Sequence, residues 1–230
     1  MDTMARLQQI PLFAGLPAAE LDALARALNR RHCARGELIL HQGDPGDSLY
    51  IVVSGRVRIY TLSPEGHELS VWLCDEGDFF GEMALLSDEP RSANAEAMLP
   101  TEVLVLSRGA FRDYLLAHPG AALHAVETLS RRLRRTTESA GDLACRSVVQ
   151  RIARTLVELA GRYGVPDGVP PACGVRIELE ISQEDMATLA GTTRESANRA
   201  LGTLRDRGIV ELDRSYVRIL RPEALEAMLG

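Results

Sequence analysis

The sequence contains no lysine, and all 26 of its basic residues are arginine. This absence excludes the P-loop lysine of nucleoside triphosphatases and the Schiff-base chemistry of lysine enzymes. It does not exclude phosphate binding, because an arginine keeps its charge and can donate two parallel hydrogen bonds to a phosphate. We attribute most of the bias to genome base composition.

Several enzyme and metal motifs are also absent. The four cysteines lie far apart without a CxxC pair, and we expect them to be reduced and mostly structural. None of the five histidines belongs to an HExxH motif or another close metal-ligand spacing, and no GxSxG nucleophile elbow occurs. The sequence therefore predicts neither an enzyme nor a metal site.

Long apolar runs are missing as well. No run approaches the roughly 20 residues that a membrane-spanning helix needs. The opening stretch, MDTMARLQQIPLF, lacks the basic segment, apolar segment and cleavage site of a signal peptide, which predicts a cytoplasmic protein without a membrane partner. With 230 residues, 46% of them hydrophobic and 25% charged, the chain can form one large or two modest globular domains.

The first half of the chain changes its periodicity near residue 36. Before that point, helical spacing over residues 3–32 predicts one or two short helices. After it, short β-rich runs are separated by glycine and proline turns: ELILH, SLYIVVSG, VRIYTL, ELSVWL, SANAEAM and EVLVLS. Many short strands without alternating helices predict a sandwich or closed barrel of jelly-roll topology rather than parallel βαβ units.

A long helix with a heptad seam is predicted from about residue 120 to 145. The seam residues are Ala122, Val126, Leu129, Leu133, Thr136, Ala140 and Leu143. A narrow seam with charged flanks favours a dimer, although a single-chain core helix can show the same spacing over this length. The four arginines between residues 131 and 135 are interpreted as a solvated face. Thr136, with Thr137 beside it, places hydroxyl groups in the seam, which indicates a register device or a ligand contact.

Residues 181–207 contain two helical segments joined by a turn at Gly191. Ser182 with Asp185 predicts the start of the first segment, and Thr193 caps the second. The second segment buries Ala197, Ala200, Leu201 and Leu204 and exposes Arg194, Glu195, Asn198, Arg199 and Gly202. A helix-turn-helix followed by the hairpin runs GIVEL and YVRIL predicts a winged DNA-binding domain, because arginine can pair with guanine and glutamate with cytosine. A helical hairpin inside an enzyme can share the apolar stripe, but seldom those outward charges.

Residues 81–93, GEMALLSDEPRSA, place a carboxylate and a guanidinium at the two ends of a short helical segment. Glu82 and Arg91 either form an exposed ion pair, worth at most about 1 kcal/mol, or bind one ligand together. The ion pair leaves Gly81 and Ser92 unexplained, so we favour the ligand.

With these motifs in place, the chain resembles the cyclic-AMP receptor protein (CRP/FNR) family of bacterial transcription regulators along nearly its whole length. GE followed by PRSA resembles the phosphate-binding cassette of the family, and TTRESANRAL resembles its recognition helix. The resemblance implies an α+β protein. Residues 1–118 would form a cyclic-nucleotide-binding β-roll (a double-stranded β-helix) with N-terminal helices, 119–146 a long dimerisation helix and hinge, and 147–230 a winged helix-turn-helix.

The resemblance also implies a ligand, cyclic AMP, and the residues that bind it. These residues are Gly81, Glu82, Met83, Arg91, Ser92, Thr136 and Thr137. Backbone N–H groups at 81–83 would face the cyclic phosphate, Arg91 would neutralise its charge, and Ser92 would donate a hydroxyl bond. Glu82 would accept from the ribose 2′-hydroxyl. The two threonines would contact adenine, one from each subunit.

For DNA, the resemblance implies a homodimer on a palindrome of TGTGA-like half-sites, with RNA polymerase as a further partner. The implied DNA-binding residues are Ser182, Thr193, Arg194, Glu195, Ser196 and Arg199. Of these, Arg194, Glu195 and Arg199 would read bases, while Thr193 and Ser196 would contact phosphates. The chain departs from the family pattern at Gln183 and Glu184, and its predicted loop at 161–174 is longer than in the best-known member. No haem or iron–sulfur pattern is present.

Two other functions stay open at the level of sequence. A regulator of the same family can be active without ligand or respond to another effector. A cyclic-nucleotide module can also regulate an enzyme or channel, although the helix-turn-helix argues against that function.

Overall fold

A computed structural model of the chain describes residues 7–167, 174–213 and 216–229. The chain divides into two compact units, one of residues 1–67 and 71–136, the other of residues 68–70 and 137–230. Among the described residues, no helix is long and apolar enough to cross a membrane.

The first unit is built on two four-stranded sheets. One has the strand order β1-β8-β3-β6 and the other β2-β7-β4-β5. The strands are β1 (Asn29–Cys33), β2 (Leu38–Leu40), β3 (Ser48–Ser54), β4 (Val57–Leu62), β5 (Glu68–Cys74), β6 (Phe79–Phe80), β7 (Asn94–Ala97) and β8 (Thr101–Ser107). The pairs β1–β8, β3–β8, β3–β6, β2–β7 and β4–β7 are antiparallel. This β-rich roll confirms the fold class.

Both faces of the sheet around β3 are buried, and its side chains alternate between two apolar clusters. Leu49 and Ile51 pack with the helical residues Phe13 and Phe111, while Val52 packs into the second cluster. Successive strand residues point to opposite faces, so one buried strand serves both clusters. The run SLYIVVS is therefore almost continuously apolar rather than alternating.

Two strands of the first unit were missed by the sequence prediction. Strand β1, NRRHC, falls within the region that was expected to be helical, yet it pairs with β8 from Asn29↔Val105 to Cys33↔Thr101. Only Cys33 of this strand is buried, so an edge strand of exposed polar residues has no apolar alternation to reveal it. Strand β6 has two residues, too few for any pattern.

Helices α1 (Ala18–Ala27), α2 (Glu82–Ser87), α3 (Arg108–Ala117) and α4 (Pro119–Cys145) complete this part of the chain, with a 3-10 turn at Pro11–Phe13. The α3 residue Tyr114 packs edge-on against Phe13 at 5.4 Å and donates its hydroxyl to the Leu12 carbonyl at 2.8 Å. Burial raises the pKa of Tyr114 to about 12, so its hydroxyl remains a donor.

Helix α4 has 27 residues and is therefore about 40 Å long. Ala121, Ala125 and Thr128 are its buried positions. On another side, the seam residues Val126 and Leu133 are 58% and 69% exposed. These two residues are thus not core residues of the single chain.

The second unit contains helix α5 (Val148–Tyr163), a four-stranded sheet of order β11-β12-β10-β9, and three shorter helices. These elements are β9 (Gly164–Asp167), β10 (Gly174–Ile177), α6 (Gln183–Leu189), α7 (Arg194–Asp206), β11 (Val210–Leu212), β12 (Val217–Ile219) and α8 (Pro222–Glu226). The start of α5 has a capping box, with Ser147 accepting from Gln150 N and the Gln150 side chain accepting from Ser147 N.

The predicted loop at 161–174 is wrong at both ends. Helix α5 continues to Tyr163, and residues 164–167 form β9, which pairs antiparallel with β10. A Cβ at Gly164 would lie 2.2 Å from the Ala160 carbonyl oxygen, so a glycine is needed for the strand to follow the helix so closely. Glycine and proline indicated a turn here, whereas they mark a tight helix-to-strand corner. Residues 168–173 of the predicted loop lie outside the described residues.

Candidate ligand pocket and DNA-reading surface

Arg91 is the centre of the candidate pocket. Its side chain is buried, and the residue is 4% exposed. Its guanidinium donates from Nη1 to the Gly81 carbonyl at 2.7 Å and from Nη2 to the Ser48 carbonyl at 2.8 Å. Asp47 Oδ1 lies 3.9 Å from Nη2, but this carboxylate is largely exposed. The charge of Arg91 is therefore oriented mainly by neutral carbonyl groups, which leaves most of it available to an anion.

Two glycines make room for this guanidinium. Gly81 has φ +83°, and a Cβ there would lie 2.7 Å from Arg91 Nη1. At Gly46, a Cβ would lie 2.3 Å from the Ala84 Cβ and 3.2 Å from Arg91 Cζ. Gly81 is also the N-cap of α2, so the first turn of this helix begins beside the arginine. Amide groups of a first helical turn lack partners within the helix and favour anions.

Glu82 follows immediately and is likewise 4% exposed. Its Oε1 accepts from Arg132 Nη1 at 2.9 Å, and Arg132 Nη2 donates to the Phe79 carbonyl at 2.5 Å. The interpretation of residues 81–93 as an exposed Glu82–Arg91 ion pair is therefore wrong. Both side chains are buried, and each bonds to other groups.

Arg132 was not predicted as a site residue. The sequence placed it in a solvated arginine face, but its side chain is only 15% exposed. The reason is its place on α4, where it projects towards Glu82 and the aromatic rings of Trp72 and Phe79. Its Nε is buried without a hydrogen-bond partner in the described part of the chain. A buried donor of this kind is costly unless water or a ligand satisfies it. Its position could have been inferred from the sequence, because Arg132 lies four residues, or one helical turn, before the predicted ligand residue Thr136.

Of the remaining predicted ligand residues, Met83, Ser92 and Thr136 lie near these two arginines. Ser92 is exposed and donates its hydroxyl to the sulfur of Met83 at 3.5 Å, which places both residues at the rim of α2. Thr136 is exposed and donates to the Arg132 carbonyl at 3.0 Å, and Thr137 is exposed beside it. The structure thus gathers residues 81–83, 91 and 92 and connects Thr136 to them through Arg132.

Two observations fit a cyclic phosphate at this position. A buried guanidinium is held mainly by carbonyl groups, and the N-terminus of α2 lies beside it. Among the described residues, no group of three or more histidine, cysteine or acidic side chains could hold a metal ion.

The second unit contains the predicted helix-turn-helix, formed by α6 and α7. Gly191, with φ +59°, lies in the turn between them, and this left-handed conformation favours glycine. The predicted stripe of α7 is buried: Ala197, Ala200, Leu201 and Leu204. Arg151 from α5 donates to the carbonyls of Ala190 and Gly191, which attaches the turn to the helix behind it.

Most of the predicted DNA-binding residues lie at the N-terminal end of α7. Thr193 caps α7 by accepting from Ser196 N at 3.3 Å, and the Ser196 hydroxyl accepts from Arg199 Nη2 at 3.0 Å. Arg194, Glu195 and Arg199 are exposed on α7. Ser182 caps α6 in a box with Asp185. Five of the six residues therefore lie within the first two turns of α7 or at its cap, while Ser182 lies at the start of α6.

Comparison with known proteins identifies the two parts. Residues 30–118 match the cyclic nucleotide-binding domain family, and residues 150–228 match the Crp-like helix-turn-helix domain family. The fold and the two matches define a class of protein, a DNA-binding transcription regulator with a cyclic-nucleotide-binding domain.

The sequence similarity to known relatives extends along nearly the whole chain. A CRP-like cAMP-activated global transcriptional regulator of Mycobacterium tuberculosis is 32% identical over 219 residues, which cover 95% of this chain and 96% of the relative. The cyclic AMP receptor protein of Thermus thermophilus is 34% identical over 216 residues, covering 94% and 95%. The structure of the c-di-GMP responsive global regulator CLP of Xanthomonas campestris is 28% identical with a TM-score of 0.75, covering 88% of this chain and 99% of that one. The chain belongs to the CRP/FNR family of transcription regulators.

Proposed function

We propose that this protein is a homodimeric transcription regulator whose affinity for a palindromic operator is raised by cyclic AMP. The observation that carries the proposal is the buried Arg91, oriented by the Gly81 and Ser48 carbonyls beside the first turn of α2. A buried cation without a close, buried counter-ion costs free energy, and that cost falls when an anion binds.

Different residues would bind the phosphate, the ribose and the base of a cyclic nucleotide. Arg91 would bind the single phosphate charge together with the amides of residues 81–83, and Ser92 would donate from the rim. Glu82, held in place by Arg132, would accept from the ribose 2′-hydroxyl. Thr136 would hydrogen-bond adenine from the same subunit, and Thr137 would do so from the partner.

Two observations favour cyclic AMP as the effector. The hydroxyl pair Thr136 and Thr137 lies on α4 near Arg132, where an amino group of adenine can be recognised. The relatives from Mycobacterium and Thermus are named for activation by, or reception of, cyclic AMP. Cyclic di-GMP is the second candidate, because the Xanthomonas neighbour is described as responsive to that dinucleotide.

The exposed seam of α4 supports a homodimer. Val126 and Leu133 are apolar, seven residues apart and more than half exposed, as expected for the contact stripe of a two-stranded coiled coil. Substituting Leu133→Glu puts a charge in this stripe and should weaken dimerisation at least tenfold. Sedimentation equilibrium measures this effect, and an unchanged molecular mass at micromolar concentration would contradict the dimer seam.

On DNA, Arg194, Glu195 and Arg199 would read base edges in the major groove, and Thr193 and Ser196 would contact phosphates. A two-fold dimer requires two inverted half-sites about one helical turn apart. RNA polymerase would be the partner through which the bound regulator acts on transcription.

Titration of the full chain tests the proposal. Isothermal titration calorimetry with cyclic AMP, cyclic GMP and cyclic di-GMP identifies the effector, and fluorescence anisotropy measures affinity for operator DNA with and without it. We expect cyclic AMP to raise DNA affinity about 5- to 150-fold, the range of ordinary allosteric coupling. Equal DNA affinity with and without saturating cyclic AMP would refute activation by this nucleotide.

A further inference from the structure

The single tryptophan of the chain, Trp72, has unusual neighbours. It lies on β5, is partly buried, and packs against the apolar cluster of the roll. The guanidinium of Arg132 lies 5.5 Å from the centre of its ring, and that of Arg135 lies 4.8 Å away. Two cations are therefore placed on one indole, where attraction between a cation and an aromatic face operates.

This indole lies at one end of a continuous set of contacts through the candidate pocket. Arg91 bonds to the Gly81 carbonyl, the next residue, Glu82, pairs with Arg132, and Arg132 contacts Trp72. Arg91 is the expected partner of the phosphate, and Glu82 is the expected partner of the ribose. Trp72 lies beyond both, next to the stretch of α4 that ends in Thr136, which is the expected partner of the base.

We propose that Trp72 is the platform on which the nucleobase of the effector stacks. The inference rests on the proposed function and adds a base-binding residue to it. A guanidinium and a purine are both flat groups that bind an aromatic face, so the surface now covered by Arg135 suits a base as well. Arg135 is half-buried on α4 and is not part of the buried Glu82–Arg132 pair, so a base that took its place on the ring would leave that pair intact.

A purely structural role for Trp72 explains less. The apolar cluster accounts for the part of the ring that faces the roll, but it does not require two arginines on the indole. Val71, its neighbour on β5, points to the opposite face and is 38% exposed. The pair offers a matched comparison, with one large residue facing the pocket and one facing away.

The only tryptophan also provides the measurement. Excitation at the red edge of protein absorption reports on Trp72 alone, and a stacked purine quenches indole emission. We expect cyclic AMP to quench this emission saturably, with the same midpoint as calorimetric binding. Binding heat without a change in emission overturns the platform but leaves the proposed function intact. Absence of binding heat with all three nucleotides overturns both.

Variants separate stacking from packing. Trp72→Leu should weaken cyclic AMP binding about tenfold, within the range found when a base loses an aromatic partner, and Trp72→Phe by no more than about threefold. Val71→Ala is the control and should bind as the original chain does. Cyclic CMP, whose smaller pyrimidine base covers less of the ring, should lose less affinity in Trp72→Leu than cyclic AMP. Equal losses for both nucleotides, or no loss, would contradict stacking, and quenching in the unsubstituted chain tests the platform even if Trp72→Leu folds poorly.

Discussion

The two units of this protein use arginine in opposite ways. In the roll, Arg91 and Arg132 are buried and bonded to carbonyl groups or to Glu82. On α7, Arg194 and Arg199 are exposed, and Arg199 donates to the hydroxyl of Ser196 in the preceding turn. A small anion is best held by a charge fixed in advance, because ordering the side chain then costs nothing on binding. Base edges in a groove need side chains that can extend to them.

Replacing the fixed arginine should have the largest effect. In Arg91→Leu the phosphate loses its charge partner, and we expect cyclic AMP affinity to fall at least about a hundredfold, or about 2.7 kcal/mol. Arg91→Lys keeps the charge but loses the forked donors, so its affinity for cyclic AMP should lie between those of the original chain and Arg91→Leu. Arg112→Leu, an exposed site on α3, is the control. Titration calorimetry measures all three, and retained binding in Arg91→Leu would remove the basis of the pocket.

Neutralising the buried partner of Arg132 tests the second fixed arginine. Glu82→Gln leaves that guanidinium without its counter-ion, and we expect the free energy of unfolding to fall by about 2 kcal/mol in urea denaturation. The double variant Glu82→Gln with Arg132→Met removes the stranded charge as well and should recover most of the loss. If the losses measured for Glu82→Gln and for Arg132→Met alone simply add in the double variant, the pair is not coupled.

Removing an exposed arginine should weaken DNA binding without affecting the ligand. Arg199→Ala is expected to reduce affinity for the operator about tenfold, or about 1.4 kcal/mol, because one bidentate contact to guanine is lost. Arg205→Ala is the matched control at the other end of α7. Anisotropy on the operator and on a half-site variant distinguishes the contacts. An equal loss on both DNAs would assign Arg199 to the phosphate backbone.

The smallest expected effect concerns the cap that positions these side chains. Thr193→Ala removes the hydroxyl that accepts from Ser196 N and should reduce stability by about 1 kcal/mol, whereas Thr193→Ser should retain most of it. Thermal unfolding followed by circular dichroism measures this effect. A Thr193→Ser variant as unstable as Thr193→Ala would show that the methyl group, rather than the cap, matters.

Local patterns predicted much of the fold. Helical and β periodicity predicted the roll strands β2–β5, β7 and β8, the long helix and the helix-turn-helix, because each buries side chains with a regular spacing. The edge strand Asn29–Cys33 and the corner at Gly164 escaped prediction. The edge strand forms because it pairs with a strand distant in sequence, and the corner needs a glycine because two backbone segments approach closely. Neither requirement leaves a periodic signal in the sequence.

The candidate site divides in the same way. The sequence by itself determined which residue types are present at 81–93 and 193–199, since glycine, arginine and caps have local conformational and chemical consequences. Only the tertiary structure decided that Glu82 pairs with Arg132, fifty residues away, and that Trp72 lies beneath two guanidiniums. Burial and ion pairing depend on which distant segments meet, and that meeting is a property of the packed roll rather than of any stretch of sequence.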